Sequence, residues 1–316
     1  MSLIKSLNYT HSYLNRQILL AQFIFCSSQL VAQKRTEINY FNETPITQNA
    51  KIFAKGIISN IEIQHSAPAF SPDGKKVLWA IMKMPSYQMQ MLEMNNEHGR
   101  WSSPQSPTIS DSLADFSFPN FSTQGKTLFF SSNKRIDKND SLVKGNRLWC
   151  VELNNGVWGK PRLVKALENI DGIFANSVAQ NGNLYFTHGP HRSPDWNIFF
   201  CNEKKDLAPI PLSINTKNYE DGPYISPKEK YLIFESNRPG SIEGSIDLFI
   251  SFKKRRKWTE PINMGTKINT GFSERFARVS PDGKYLFFGS NRNGNFDVFW
   301  IDASIIKELK PKKRMD

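Results

Sequence analysis

The residues best placed to do chemistry are Glu220, Asp221, Glu274 and Arg275, with His65 further upstream. His65, Glu220 and Glu274 each stand six residues before a serine that opens a short turn, and Asp221 and Arg275 follow directly. The same offset gives Phe116 and, in a worn copy, Ile173. If the turn recurs in a symmetric fold, these residues converge on one mouth. A polar ring of this kind can grip a small ligand, a cation or a peptide terminus. Alternatively its acids and arginine close the ring on one another, and such ion-pair networks perturb titration much as active sites do. Pairing is the reading adopted. Glycan hydrolysis would need two carboxylates separated by about 5 to 9.5 Å, and Glu220 and Glu274 are the residues for it.

Other chemistries find less support. His188, His191 and Asp195 resemble a metal cluster, but H-x-x-H in a Gly-Pro loop does not place both rings on one face. The nucleophile motif G-x-S-x-G does not occur, and Gly240-Ser-Ile-Glu-Gly244 lacks its central serine. Three cysteines make neither a zinc cluster nor a disulfide framework. No metal, cofactor or catalytic residue is assigned.

The elements that would position the ring are legible as an internal repeat. Its fuller copies are FSPDGKKVLWA from Phe70, FSTQGKTLFFSSNK from Phe121, ISPKEKYLIFESNR from Ile225 and VSPDGKYLFFGSNR from Val279. A worn copy, VAQNGNLYFTHG, begins at Val178, and successive starts lie 51, 57, 47 and 54 residues apart. That period suits a four-stranded propeller blade. An apolar residue ends the first strand, and S-P-D-G turns the chain because Pro fixes φ and Gly accepts φ > 0. An apolar second strand follows, then a third strand at Arg147, Asn197, Asp247 and Asp297. Trp101, Trp158 and Trp258 open W-x-x-P segments that mark a fourth strand. Cys150 and Cys201 fall one register apart in equivalent third strands, which argues for buried thiols rather than a disulfide. Arg238 and Arg292 follow the second strand, and Asp247 and Asp297 open the third, so an Arg–Asp pair bracing each loop is expected.

The fold class expected is therefore all-β: a single β-propeller of four-stranded blades, five by count. Six would require the stretch Ser132 to Arg147 to hide extra strands. The last copy lacks a fourth strand, and the segment from Ala50 to Ile57 supplies it, closing the ring and removing two sheet edges.

The motif S-P-D-G-K-x-L-x-F-x-S-x-R followed by D-[LV]-[FY] resembles the WD40-like repeat of TolB-type propellers. It is carried by Ser280–Lys284, Phe287–Arg292 and Asp297–Phe299, and again by Ser226, Ser236–Arg238 and Asp247–Phe249. The resemblance covers about Lys51 to Ile306. It implies an exported bacterial interaction module, of a type found beside outer-membrane or peptidoglycan-binding domains, and a channel in which such propellers can hold a metal ion. No contiguous calcium loop accompanies it here, and no room remains for an appended peptidoglycan-binding domain.

Composition agrees with a strand-rich, folded chain. The 316 residues are 39% hydrophobic and 22% charged, with 23 Phe, 18 Gly and 18 Pro. Residues 1–32 read as a signal peptide: Lys5 and Arg16, an apolar run from Ile18 to Cys26, and small residues up to Ala32. Residues 33–50 are then a linker, 51–306 the propeller and 307–316 a basic tail. Removing 1–32 takes the formal charge from +12 to +10. Lys253–Lys257 at a hairpin tip and the tail are basic enough to meet a polyanion, but charge blocks at tips and ends are commonly solvated. The expectation is an exported, periplasmic or extracellular monomer with no transmembrane segment, no nucleic-acid partner and a protein or cell-envelope partner. It acts as a non-catalytic scaffold, with the hydrolase of Glu220 and Glu274 as the alternative.

Overall fold

The computed structural model describes residues 37–44, 49–60, 62–64, 66–136, 145–189, 195–205 and 207–311. The signal-peptide reading, His65, His191 and the end of the basic tail lie outside them.

Five antiparallel sheets form the blades of a propeller. Blade one has its inner strand in two pieces, Ile63–Gln64 and Ala69–Phe70, followed by Lys76–Lys83, Gln88–Glu97 and Arg100–Trp101. Blade two runs Phe116–Phe121, Thr127–Ser132, Arg147–Asn154, then Val157–Trp158 with Arg162–Leu163. Blade three comprises Ile173–Val178, Leu184–His188, Asn197–Asn202 and Leu207–Pro211. Blade four comprises Glu220–Ile225, Tyr231–Ser236, Asp247–Lys254, then Lys257–Trp258 with Ile262–Asn263. Blade five comprises Glu274–Val279, Tyr285–Asn293, Asn295–Asp302 and, from the other end of the chain, Lys51–Ile52.

The closing strand pairs antiparallel with blade five, Lys51 opposite Trp300 and Ile52 opposite Phe299. The Phe53 amide donates to the Val298 carbonyl at 2.8 Å, and the Ser59 hydroxyl accepts from the Val298 amide at 2.9 Å. Phe53 is wholly buried beside Phe287 and Trp300. Part of the stretch expected as a linker also joins this core. Ile38 and Tyr40 are buried, and the Tyr40 hydroxyl meets Asp282 at 3.0 Å. Burial of these apolar side chains stabilises the fold.

The turn serine has a structural task. Its hydroxyl accepts the amide five residues on, from Lys76 to Ser71 at 2.9 Å, Tyr231 to Ser226 at 3.0 Å and Tyr285 to Ser280 at 3.0 Å. Asp282 accepts from the Ser280 hydroxyl at 2.6 Å and from the Lys284 amide at 3.1 Å. The W-x-x-P segment is where the fourth strand breaks and resumes. Trp158 pairs with Leu153 and Arg162 with Cys150, while Trp258 pairs with Lys253 and Ile262 with Ile250. Proline has no N–H for the ladder and is tolerated on an outer edge.

Candidate functional site

Each innermost strand begins at one mouth of the ring and ends at the serine turns. In blades two to five its ladder slips once, between Ser117 and Asn120, Ile173 and Asn176, Asp221 and Tyr224, and Arg275 and Arg278. At the slip the backbone turns to positive φ in Phe118, Gly222 and Phe276. Glycine is required at 222, because a Cβ there would lie 2.8 Å from the Glu235 carboxylate.

Glu220 and Glu274 occupy equivalent places and are fully buried. Glu220 accepts the Thr216 amide at 2.9 Å, the Thr216 hydroxyl at 2.7 Å, the Ser236 hydroxyl at 3.2 Å and Arg238 Nη2 at 2.9 Å. Glu274 repeats this with Thr270 at 2.8 Å for both groups, Ser290 at 2.7 Å and Arg292 Nη2 at 3.1 Å. The arginines also donate to the Ile214 and Ile268 carbonyls at 3.0 and 2.6 Å. These guanidiniums therefore brace the mouth, but not against the aspartates expected. Asp247 instead accepts from the Ile242 amide at 2.9 Å, Ser245 at 2.8 Å and Asn263 at 2.6 Å. Asp297 is partly exposed, and its carboxyl is raised by burial against the lowering effects of Asn293 and Lys55. Strand pairing places Glu220 opposite Ser236 and Glu274 opposite Ser290, which puts a glutamate rather than the next strand's aspartate beside the arginine.

Asp221 and Arg275 come together as expected, joined by two residues that the sequence did not single out. Arg275 Nε donates to Glu235 Oε2 at 2.8 Å and Nη2 to Glu235 Oε1 at 3.3 Å, a forked pair. The same Nη2 meets Asp221 Oδ2 at 3.3 Å and the Tyr219 hydroxyl. Tyr219 donates to Asp221 at 2.7 Å, and the Gly222 amide donates to Asp221 at 2.6 Å. Burial pushes the Glu235 carboxyl up to about 7, with Asp221 adding to it and Arg275 opposing. Burial works against the Arg275 charge, but Glu235, Tyr219 and Asp221 together hold its pKa above the ordinary arginine value.

The other blades do not complete a polar ring. Phe116 and Ile173 fill the glutamate position with buried apolar side chains. In blade one the register sets Gln64 opposite Ile81, the place that Glu220 takes opposite Ser236. Phe118 of blade two reaches Phe276 of blade five, with ring centroids 5.7 Å apart. These blades are not neighbours, so the pair crosses the axis and floors the mouth.

Connections from the fourth strand to the next blade, and from the second strand to the third, share the mouth face. Met84, Tyr87, Leu113, Ile136 and Phe272 stand on them, five of the seven large hydrophobics exposed among the described residues. His188 packs against Phe199 at 5.6 Å. Cys150 and Cys201 are free and buried, their thiols pushed up by burial to about 11 and about 12, which makes them poor nucleophiles. Among the described residues no group of His, Cys, Asp and Glu could hold a metal, and no helix is long and apolar enough to cross a membrane.

No family model and no curated protein sequence matches the chain. Solved structures do. The chain is similar to a TolB-type protein from Agrobacterium tumefaciens, with TM-score 0.52 and 16% identity over 76% of this chain and 77% of that one. It is similar to TolB from Acinetobacter baumannii, with TM-score 0.50 and 13% identity over 73% of this chain and 51% of that one, and so spans about half of that protein. A hydrazine synthase from Kuenenia stuttgartiensis is similar at TM-score 0.49 and 15% identity, over 79% of this chain and 38% of that one. At these identities the likeness is one of fold, which hosts unrelated functions: a TolB-like five-bladed propeller.

Proposed function

We propose that this chain is an exported, non-catalytic scaffold that receives a protein partner of the cell envelope on its mouth face. The observation that carries this reading is the gathering of exposed Met84, Tyr87, Leu113, Ile136 and Phe272 on that face. Exposed apolar side chains gathered on one face mark interaction surfaces. The partner is a protein presenting apolar side chains of its own, and the Arg275 network beneath holds the mouth rigid. The amino-terminal pattern supports export, and the TolB-like fold fits an envelope setting.

The hydrolase reading loses its support in the same geometry. A general acid or nucleophile must reach substrate. Glu220 and Glu274 are 0% exposed and each is held by an arginine and two hydroxyls.

The test is recovery of a stable partner from an envelope extract by the wild-type chain and by Leu113→Asp/Phe272→Asp. Recovery by the wild type and loss with the variant are expected. A partner retained by the variant, or no partner together with turnover on a glycan panel, overturns the reading.

A further inference from the structure

Behind the Phe118–Phe276 floor lies a layer of five equivalent positions, one per blade: Ala69, Asn120, Ser177, Tyr224 and Arg278. Each is the second residue before the turn position, and register sets Asn120 opposite Phe129, Tyr224 opposite Ile233 and Arg278 opposite Phe287. Arg278 of blade five donates through Nη1 to Asn120 Oδ1 of blade two, across the axis. The layer has one cation and no acid.

Arginine buried in a protein is ordinarily paired, because an uncompensated charge out of water is costly. Arg238, Arg275 and Arg292 obey this rule with Glu220, Glu235 and Glu274. Arg278, half-buried in its strand, does not: among the described residues no carboxylate pairs with it, and its buried Nε has no partner. Burial pushes its pKa down to about 10, opposed only by Tyr224. The acids of the mouth lie beyond the phenylalanine floor and are engaged with Arg238, Arg275 and Arg292.

The partner of Arg278 is itself only half satisfied: Asn120 is 6% exposed and its Nδ2 donates to nothing. Buried polar groups in native proteins are almost always satisfied, so each such orphan calls for an explanation. Water could accept these hydrogen bonds, but it would leave the charge uncompensated. The Nε–Nη edge of a guanidinium matches the two oxygens of a carboxylate.

We propose that the Asn120–Arg278 layer is a binding site for a carboxylate on the propeller axis, reached from the turn face. That face is basic. Lys75, Lys126, Lys228, Lys230 and Lys284 stand exposed on its first-to-second-strand turns, and the Lys254–Lys257 tip stands exposed beside them. Converging like charges raise the local concentration of the opposite ion. The carboxylate belongs either to a small organic acid or to the C-terminus of a peptide.

Thermal unfolding of the full chain in acetate, against chloride at equal ionic strength, tests this. A saturable rise on the order of 5 °C is expected at a hundredfold excess over Kd. Arg278→Gln should abolish the response. Asn120→Asp supplies a carboxylate within the chain, so it should unfold at higher temperature than wild type without acetate and gain nothing from it. If Arg278→Gln does not fold, Asn120→Asp alone decides. N-acetylglycine outperforming acetate, with its amide inactive, identifies a peptide terminus; equal effects of the two acids identify a small acid. No saturable acetate effect on wild type, or an Asn120→Asp chain that is less stable and still responds, overturns the proposal.

Discussion

Blades four and five hold their mouths with buried charge, whereas blades two and three hold theirs with apolar contacts. Glu220 with Arg238, and Glu274 with Arg292, make one brace repeated at a spacing of 54 residues. In blade two Phe116 takes the glutamate position and stacks on Phe130 at 5.5 Å, while Lys134 replaces the arginine and turns to Asp111 at 3.4 Å. Blade three has Ile173, fully buried, opposite His188. The acid and the arginine are thus present together or absent together. Breaking a buried pair by removing one partner costs far more than replacing the whole pair with apolar groups. The difference teaches that the brace is a unit.

Removing one member of the brace should have the largest effect. Glu220→Ala leaves Arg238 buried and unpaired, and should cost about 3–5 kcal/mol in urea unfolding. Glu220→Phe/Arg238→Lys, which imitates blade two, should recover at least half of that loss. A cost under about 0.5 kcal/mol for Glu220→Ala, the level of a surface substitution, would show the brace to be idle.

Blade four is further set apart by Glu235, where blades two, three and five have Ser131, Thr187 and Gly289. Its carboxyl is raised from 4.5 to about 7, chiefly by burial. Between those values the folded chain holds a proton that the unfolded chain has released. Wild-type stability should therefore fall as pH rises through this window, by roughly 3 kcal/mol from this group. Glu235→Gln should flatten that slope in melts from pH 4.5 to 8. An identical slope in both proteins would mean that Arg275 fully offsets the burial of Glu235.

The smallest effect concerns the turns. Blade three manages with Ala179 at the serine position, and Asn181 Oδ1 accepts the Asn183 amide there at 2.9 Å. Ser280→Ala in blade five removes the acceptor of the Tyr285 amide and the donor to Asp282, and should accordingly cost only about 1–2 kcal/mol. A loss several times larger would mark blade five as dependent on its serine in a way that blade three is not.

The repeat, the blade count and the closing strand were legible because each rests on local chemistry: a serine that caps its own turn, a proline that interrupts an edge, apolar residues in alternation. The brace was half legible. Arg238 and Arg292 stood out, but Asp247 and Asp297 lie nearer in sequence than the glutamates that strand pairing brings across. The shared 54-residue spacing of Thr216, Glu220, Ser236 and Arg238 with Thr270, Glu274, Ser290 and Arg292 was the available signal. Glu235 was overlooked inside an apolar second strand, where a lone acid is itself the clue. In blade one Gln64 takes the register of Glu220, and no pattern of residue types reveals the one additional residue between it and its turn serine. Arg278 went unnoticed because its meaning lies in what it fails to meet, across a ring that only the assembled fold defines.

The shared sheet of blade five also orders the chain in time. Residues 51–52 leave the ribosome well before their partner strand, Asn295–Asp302. Domains fold largely as units during synthesis, so four blades wait on an unlatched seam until that strand arrives. A nascent product stalled before Asn295 would present bare backbone at both ends of its arc, making it a natural client for holding chaperones.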